Sequence, residues 1–406
     1  MNFTVLILGS DANAYYMARC YHELYGKKVD MMSKGRIAVT TYSSIINFTE
    51  VDGIYDKETF ILTLSAYAQK SNYEKILLVG TNDKYVRLIV ENQDRLDTKF
   101  VHNYPSLDLM DTMLVKDKFY SAFQGSFQGM LGLPKTFIYS CTEKPKIADD
   151  FTYPVILKPG NGIEYHDHHF NGMSKVYKIQ SYASLLDTIK KIEDSGYTDN
   201  LVIQEFIPGD DCALFDAVFY SGKDKKVKLM TFAEIGLQER TPTGVGNCTV
   251  LVNGFDEHGY KESLVYAMKD FLEKIGFQGF CEFDLKYDSR DGKYKVFEIN
   301  PRQARSSYYL AACGHNLMKY LIDDVIYGKE IPVTLMKNEL ALSFVPKIVV
   351  RKYVTSVPLR AKIESLIKTG KYVRPLHYAK DSGIKRKMYL LLRDINYIIK
   401  YRKLSW

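Results

Sequence analysis

The chain opens on a repeated pattern: an unbroken apolar run, a small polar turn, then an amphipathic stretch. TVLILG (residues 4–9) reads as a buried strand closed by Gly9-Ser10-Asp11, and residues 12–25 carry apolar positions at helical spacing. KILLVG (residues 75–80) repeats the pattern, with Thr81-Asn82-Asp83 at the turn and KYVRLIVEN as the helix. Strand, turn and helix in alternation predict a small parallel α/β sheet over residues 1–105, with ligands met near the C-terminal ends of its strands. Neither turn holds Gly-x-Gly-x-x-Gly, so the dinucleotide fingerprint is missing.

Beyond a helical linker at about 106–131 the pattern turns to α+β, over residues 106–330. YPVILK (153–158) is a strand that runs into Pro159-Gly160-Asn161-Gly162 and a polar loop ending at Asn171-Gly172. SKVYKI (174–179) and LVIQEFI (201–207) are further strands flanking the helix SYASLLDTIKKIEDSG, and another helix is expected at about 257–274. EFDLKYD (282–288) and KYKVFEIN (293–300) alternate with a period of two and are joined by SRDG, which predicts a hairpin. Residues 331–406 form a C-terminal extension, and its MYLLLRDINYIIKYRK (388–403) has apolar residues at helical spacing with basic ones between. That stretch reads either as a helix packed on the body with a solvated basic face or as a surface for a membrane or an anionic precursor.

Charge sharpens the last point. The net charge of +7 conceals a division: from Lys347 onward there are 16 Lys and Arg against 3 Asp and Glu, while residues 1–346 hold 39 basic and 45 acidic side chains. A basic tail on an acidic body implies an anionic partner. The six scattered cysteines form no Cys-x-x-Cys pair, which excludes a disulfide scaffold and a zinc ribbon. Cys281 and Cys313 read as small buried hydrophobes. The opening residues lack the features of a signal peptide and no stretch is apolar for long enough to span a bilayer, so a cytoplasmic protein is expected.

The hairpin carries the most chemistry. Glu282, Asp284 and Lys286 share one face of the first strand, and Glu298 and Asn300 share a face of the second. Folding it brings Asp284 beside Glu298 and Asn300, an oxygen set suited to Mg²⁺ that completes its shell with phosphate and water. Arg302, just after Asn300-Pro301, adds a counter-charge for phosphate. Lys158 ends a strand before a glycine-bearing loop able to close over phosphates. The backbone of Gln204 to Ile207 is placed to read an adenine edge, with Asp210 and Asp211 where ribose hydroxyls would lie. Arg305-Ser306-Ser307 opens a stretch that reads as a helix capped by one of the serines. Arg305 with that helix start would suit the carboxylate of an amino-acid substrate.

Together and in this order, Lys116, ILKPGNG, QEFIPGDD, EFDLKYD, GKYKVFEINPR and the trailing RSS resemble the ATP-grasp ligases, over roughly residues 1–330. GSDANAYYMAR and QEFIPGDD further resemble the bacterial D-aspartate ligases of that group. The resemblance implies an ATP-grasp fold behind a parallel-sheet domain, with ATP and Mg²⁺ as cofactors. It implies that Lys116 and Lys158 hold phosphates, that Gln204, Glu205 and Ile207 form the adenine hinge, and that Asp211 contacts ribose. Asp284, Glu298 and Asn300 would then be the metal ligands, and Arg302 would face the γ-phosphate. The implied reaction activates the β-carboxylate of D-aspartate and joins it to the lysine side chain of a UDP-linked muramyl-peptide precursor in peptidoglycan synthesis. A ligase for another amino acid or cell-surface polymer, or a nucleotide-binding scaffold docking through its basic tail, stays open; no specific nucleic-acid partner is expected. EYHDHHFNG stands where such enzymes carry a mobile, more glycine-rich lid. His166, His168 and His169 read as part of that lid rather than as metal ligands.

Overall fold

A computed structural model describes residues 2–404 except 148, 149, 242, 243 and 245, and leaves out the side chain of Ile163. The first hundred residues form a five-stranded sheet in the order Ile46–Glu50, Val29–Ser33, Phe3–Leu8, Lys75–Gly80, Phe100–Val101. Every pairing in it is parallel. Val5 to Leu8 are fully buried, which is why the central strand is a continuous apolar run rather than an alternating one. The helix Ala12–Tyr25 begins at Asp11, whose carboxylate accepts from the Ala14 amide, and stops at Gly26 in the left-handed region (φ 64°).

The expected linker helix is two helices, Leu107–Leu114 and Lys116–Phe123, broken at Val115. The break has a tertiary cause: the Lys116 amide donates to the Gly160 carbonyl at 3.1 Å. A Cβ on Gly160 would lie 2.9 Å from the Asn200 carbonyl and from Asp117 Oδ1, so only glycine lets this turn approach the second helix so closely.

Residues 136–205 build a four-stranded antiparallel sheet in the order Thr136–Ser140, Asn200–Glu205, Val155–Pro159, Tyr177–Ile179. The strand expected over 174–179 covers only its last three residues, because the Ser174 hydroxyl bonds the Val176 carbonyl (2.9 Å) and holds a local turn. In the polar loop, Gly162–Tyr165 form one helical turn. The helix expected from about 257 starts at Glu262, since the Asp256 carboxylate accepts from the His258 amide (2.8 Å) and fixes a turn there.

The third sheet has ten mixed strands. Leu214–Ser221 and the hairpin Gly279–Asp288/Lys293–Asn300 lie at its centre, the hairpin in the expected pairing with one irregularity after Asp284. Leu340–Ser343 and Tyr372–Val373 add strands at its far edge, so the basic C-terminal segment is woven into the sheet. Its last helix, Ile384–Lys403, turns Arg386, Leu390, Tyr397 and Tyr401 inward. Its outward side carries exposed Lys385, Lys387, Arg402 and Lys403 together with exposed aliphatic residues, so basic and apolar side chains share it.

One buried ion pair fixes the start of this helix to the N-terminal region, through its first two helices and the loop at Ser43 and Ser44. Arg386 and Asp381 meet at 3.1 Å, both shielded from solvent. Asp381 also accepts from the Tyr15 and Ser43 hydroxyls (2.9 and 2.8 Å) and from the Ser44 amide and hydroxyl (2.7 and 2.9 Å). Arg386 donates to the Val39 carbonyl at 2.9 Å and lies 4.1 Å over the Tyr15 ring. Arg386→Met keeps the volume but strands a buried carboxylate, so urea denaturation should show a loss of about 3–5 kcal/mol. A midpoint equal to wild type would mean that this pair does not tie the two regions together.

Candidate active site

Strand register builds the acidic half of the site. Asp284 stands opposite Glu298 and Glu282 opposite Asn300, while Asp216 on the next strand stands opposite Asp284. The Asn300 amide nitrogen donates to Asp284 (3.2 Å) and reaches Glu282 (3.5 Å). Asp216 is fully buried and accepts from the Ser306 hydroxyl at 2.5 Å and the Tyr309 hydroxyl at 3.1 Å. Burial and then the charges of Glu298 and Asp216 push the Asp284 carboxyl well up; burial, Asp284 and Asp216 do the same to Glu282. Glu298 goes the other way: burial opposes its charge, but Lys116, Lys175 and Lys158 outweigh it and bring it down to about 2. The two facing carboxyls are thus pushed in opposite directions.

Cations come from outside the paired strands. Lys116, first residue of its helix, sits 3.5 Å from Glu298. Arg302 leaves the end of the hairpin and donates to Asp83 at 2.6 and 3.4 Å and to the Asn300 carbonyl oxygen of the side chain at 3.3 Å. The parallel sheet holds this loop in place: the Gln303 amide donates to the Gly80 carbonyl (2.9 Å), and Asn13 donates to the carbonyls of Thr81 (2.8 Å) and Gln303 (2.7 Å). A cavity of about 290 Å³ opens between these parts; Lys116, Asp284, Glu298, Asn300, Arg302 and Arg305 line it together with Asp11, Asp83 and Lys175.

The remaining expected residues lie behind that cavity. Lys158 is buried, with its ammonium donating to Gln204 Oε1 (3.1 Å) and to the Tyr120 hydroxyl (3.2 Å). Burial and the neighbouring Lys116 charge bring Lys158 down to about 7. The other end of Gln204 donates to the Thr136 hydroxyl at 3.0 Å. Glu205 accepts from the Lys135 amide (2.8 Å) and Arg290 (2.7 Å), and Ile207 is buried. Asp211 accepts from the Gln238 backbone and side chain, both at 3.0 Å, and pairs with Arg240 at 3.2 Å. None of Lys158, Gln204, Glu205, Ile207 and Asp211 lines the cavity that holds the hairpin acids.

The serine cap does not form. The Ser307 hydroxyl accepts from the Ala304 amide (2.8 Å), Ser306 is spent on Asp216, and the helix that follows, Tyr308–Ala312, has a single turn. Its dipole has no part in the site. Arg305 instead bonds the Cys248 carbonyl (2.8 Å), stacks 5.0 Å from the Phe344 ring and leaves its Nε buried without a partner. In the lid segment, His168 bonds the Ser195 carbonyl at 3.1 Å while the rings of His166 and His169 stand 6.1 Å apart, edge to face. Cys281 is buried, and Cys313 only partly so.

Sequence reasoning missed Asp11, Asp83 and Asp216. A lone aspartate inside the apolar strand LFDAVFYS was the available signal for Asp216, and the turns after the two parallel strands were the signal for the others. Among the described residues no group of three or more His, Cys, Asp and Glu is already gathered as a complete metal nest. The oxygen set present is two facing carboxylates and an amide, pressed together against their mutual repulsion. It fits a divalent cation that takes its other ligands from phosphate and water.

The chain is 32% identical to a D-aspartate ligase of Enterococcus faecium (strain Aus0004), over 99% of this chain and 96% of the relative. No family model matches it. Among solved structures it resembles an L-amino acid ligase from Bacillus licheniformis at 15% identity (TM-score 0.55, covering 80% of this chain and 74% of the other). It also resembles N5-carboxyaminoimidazole synthetase from Staphylococcus aureus complexed with ADP at 15% identity (TM-score 0.57, covering 84% and 82%). A third likeness is the biotin carboxylase–ATP complex from Campylobacter jejuni, again at 15% identity (TM-score 0.56, covering 81% and 72%). At such identity the structural likenesses speak for the fold, and the end-to-end sequence match speaks for the family. The chain belongs to the D-aspartate ligase family of ATP-grasp carboxylate–amine ligases.

Proposed function

We propose that the chain uses ATP to activate the β-carboxylate of D-aspartate and joins it to the lysine side chain of a muramyl-peptide precursor of peptidoglycan. The observation that carries this reading is the pairing of the hairpin acids with Lys116 and Arg302 in one cavity. The E. faecium relative contributes the amino acid, by its name.

ATP is a substrate here. Lys116 and Lys158 bind its phosphates from two sides, Gln204, Glu205 and Ile207 border the adenine, and Asp211 lies near the ribose once its Gln238 and Arg240 contacts yield. Asp284, Glu298 and Asn300 would hold Mg²⁺, which when bound would offset the phosphate charge. Release of Asp83 frees Arg302 to face the transferring phosphoryl group. Arg305, with its unpartnered Nε, holds a carboxylate of the amino acid. The free carboxylate of D-aspartate attacks the γ-phosphorus, and the bond to the β-phosphate oxygen breaks, giving ADP and an acyl phosphate. The neutral amine then attacks the acyl carbon; the C–O bond to phosphate breaks and the nitrogen sheds its proton, leaving an amide and inorganic phosphate. No side-chain nucleophile is needed, because alignment and charge neutralisation lower the barrier.

Phosphate release from ATP, measured with a panel of D- and L-amino acids and with UDP-muramyl pentapeptide, tests the reading. Release is expected with D-aspartate and should require the peptide for sustained turnover; release with L-amino acids alone would overturn it. Lys158 supplies a second test through pH. It titrates near 7 in the free chain, and a bound phosphate would keep it charged. ADP binding at pH 8 in the absence of Mg²⁺ should therefore take up about one proton, seen as a dependence of calorimetric heat on buffer ionisation. The uptake should vanish in Lys158→Met. Equal heats in all buffers would remove Lys158 from the phosphate site.

A further inference from the structure

The helix Ile384–Lys403 carries an apolar stripe that nothing in the fold covers. Ile384 is 83% exposed, Met388 and Leu391 57% each and Leu392 59%, with Ile395 and Ile399 exposed further along. At helical spacing these six fall within about 100° of arc and run for about 23 Å. Lys385 and Lys403 lie beside one edge of the stripe and Lys387 beside the other, all exposed, while Arg402 closes its C-terminal end. The opposite face is committed to the body: Arg386 pairs with Asp381, and Tyr397 and Tyr401 bond Glu239 and the Gln238 carbonyl.

A soluble surface helix places its apolar side inward, and this one has apolar side chains on both sides. An outward stripe of large aliphatic side chains with lysines along its margins has the chemistry of a helix lying in the headgroup boundary of an anionic bilayer. Acyl chains cover the aliphatics, and the lysine stems reach up to lipid phosphates. The charge division agrees, because the region from Lys347 onward carries a large positive excess while the rest of the chain is slightly acidic. An acidic body disfavours any other face on such a membrane and so sets the orientation. No helix among the described residues is long and apolar enough to cross a bilayer, so the contact is a surface one.

We propose that the C-terminal helix docks this chain on the surface of an anionic phospholipid bilayer through Ile384, Met388, Leu391, Leu392, Ile395 and Ile399. Such docking does not depend on turnover at the cavity, and none of these residues lines it.

Vesicle flotation with the full chain provides the test. Wild type should float with vesicles of phosphatidylglycerol and phosphatidylcholine, and at least about tenfold less with phosphatidylcholine alone, with high salt weakening the interaction. Leu391→Glu/Ile395→Glu should lose at least about tenfold in affinity for the anionic vesicles. Both side chains are exposed, so its thermal melt and its phosphate release in vesicle-free solution should match wild type. Wild type that stays below the vesicles would overturn the proposal, and so would a double variant that floats equally well. Sedimentation of wild type as a dimer that the double variant abolishes, without flotation, would assign the stripe to a second copy and equally overturn it.

Discussion

The site depends on a repulsion. The pairing of three strands forces Asp216, Glu282, Asp284 and Glu298 into one neighbourhood, with the charges of Lys116, Lys158, Lys175 and Arg302 acting on them. Like charges crowded together in a poorly solvated place disfavour one another's ionisation, and a cation among them would relieve that cost. On the proposed reading, a metal–nucleotide would supply that missing positive charge. Lys158, brought down to about 7 by burial and by Lys116, has the complementary demand for an anion. The acids in the cavity wall and Lys158 outside its lining are thus two opposite imbalances, and on the proposed reading one ligand would relieve both.

Holding an arrangement of this kind requires stiffness elsewhere. The Lys116 helix is anchored through its amide on Gly160, and the Tyr120 hydroxyl bonds the Phe297 carbonyl at 2.7 Å, which ties the same helix to the acid-bearing strand. The parallel sheet grips the Arg302 loop through Gln303 and Asn13. The first of these joins backbone to backbone and the others join a buried or half-buried polar side chain to a backbone carbonyl, and such bonds are costly to break. The Arg302–Asp83 pair is different, because on the proposed reading a phosphoryl group would compete for the same guanidinium.

Legibility in the sequence followed the range of the contacts. The hairpin, its facing acids and the parallel sheet were readable because strand period and turn chemistry are local. Asp216 was not, since its place opposite Asp284 depends on which strand lies beside the hairpin. Asp83 was equally hidden: it meets Arg302 from far away in the chain. The serine cap failed for a related reason, as a buried aspartate outcompeted the helix end for the Ser306 hydroxyl. The C-terminal helix was expected from its spacing, yet which side faced the body was decided by Arg386 finding Asp381 and the aromatic ring of Tyr15.

The central claim is that the paired acids of the hairpin exist to take a divalent cation with the nucleotide. Calorimetry of ADP binding with Mg²⁺ and with chelator, on wild type and on Glu298→Gln, tests it most directly. Glu298→Gln removes one charge from the cluster at constant volume. Wild type should bind ADP at least about tenfold more tightly with Mg²⁺, a difference of ~1.4 kcal/mol or more, and Glu298→Gln should lose that dependence while melting at the wild-type temperature. A variant whose ADP affinity responds to Mg²⁺ as strongly as wild type would contradict the account.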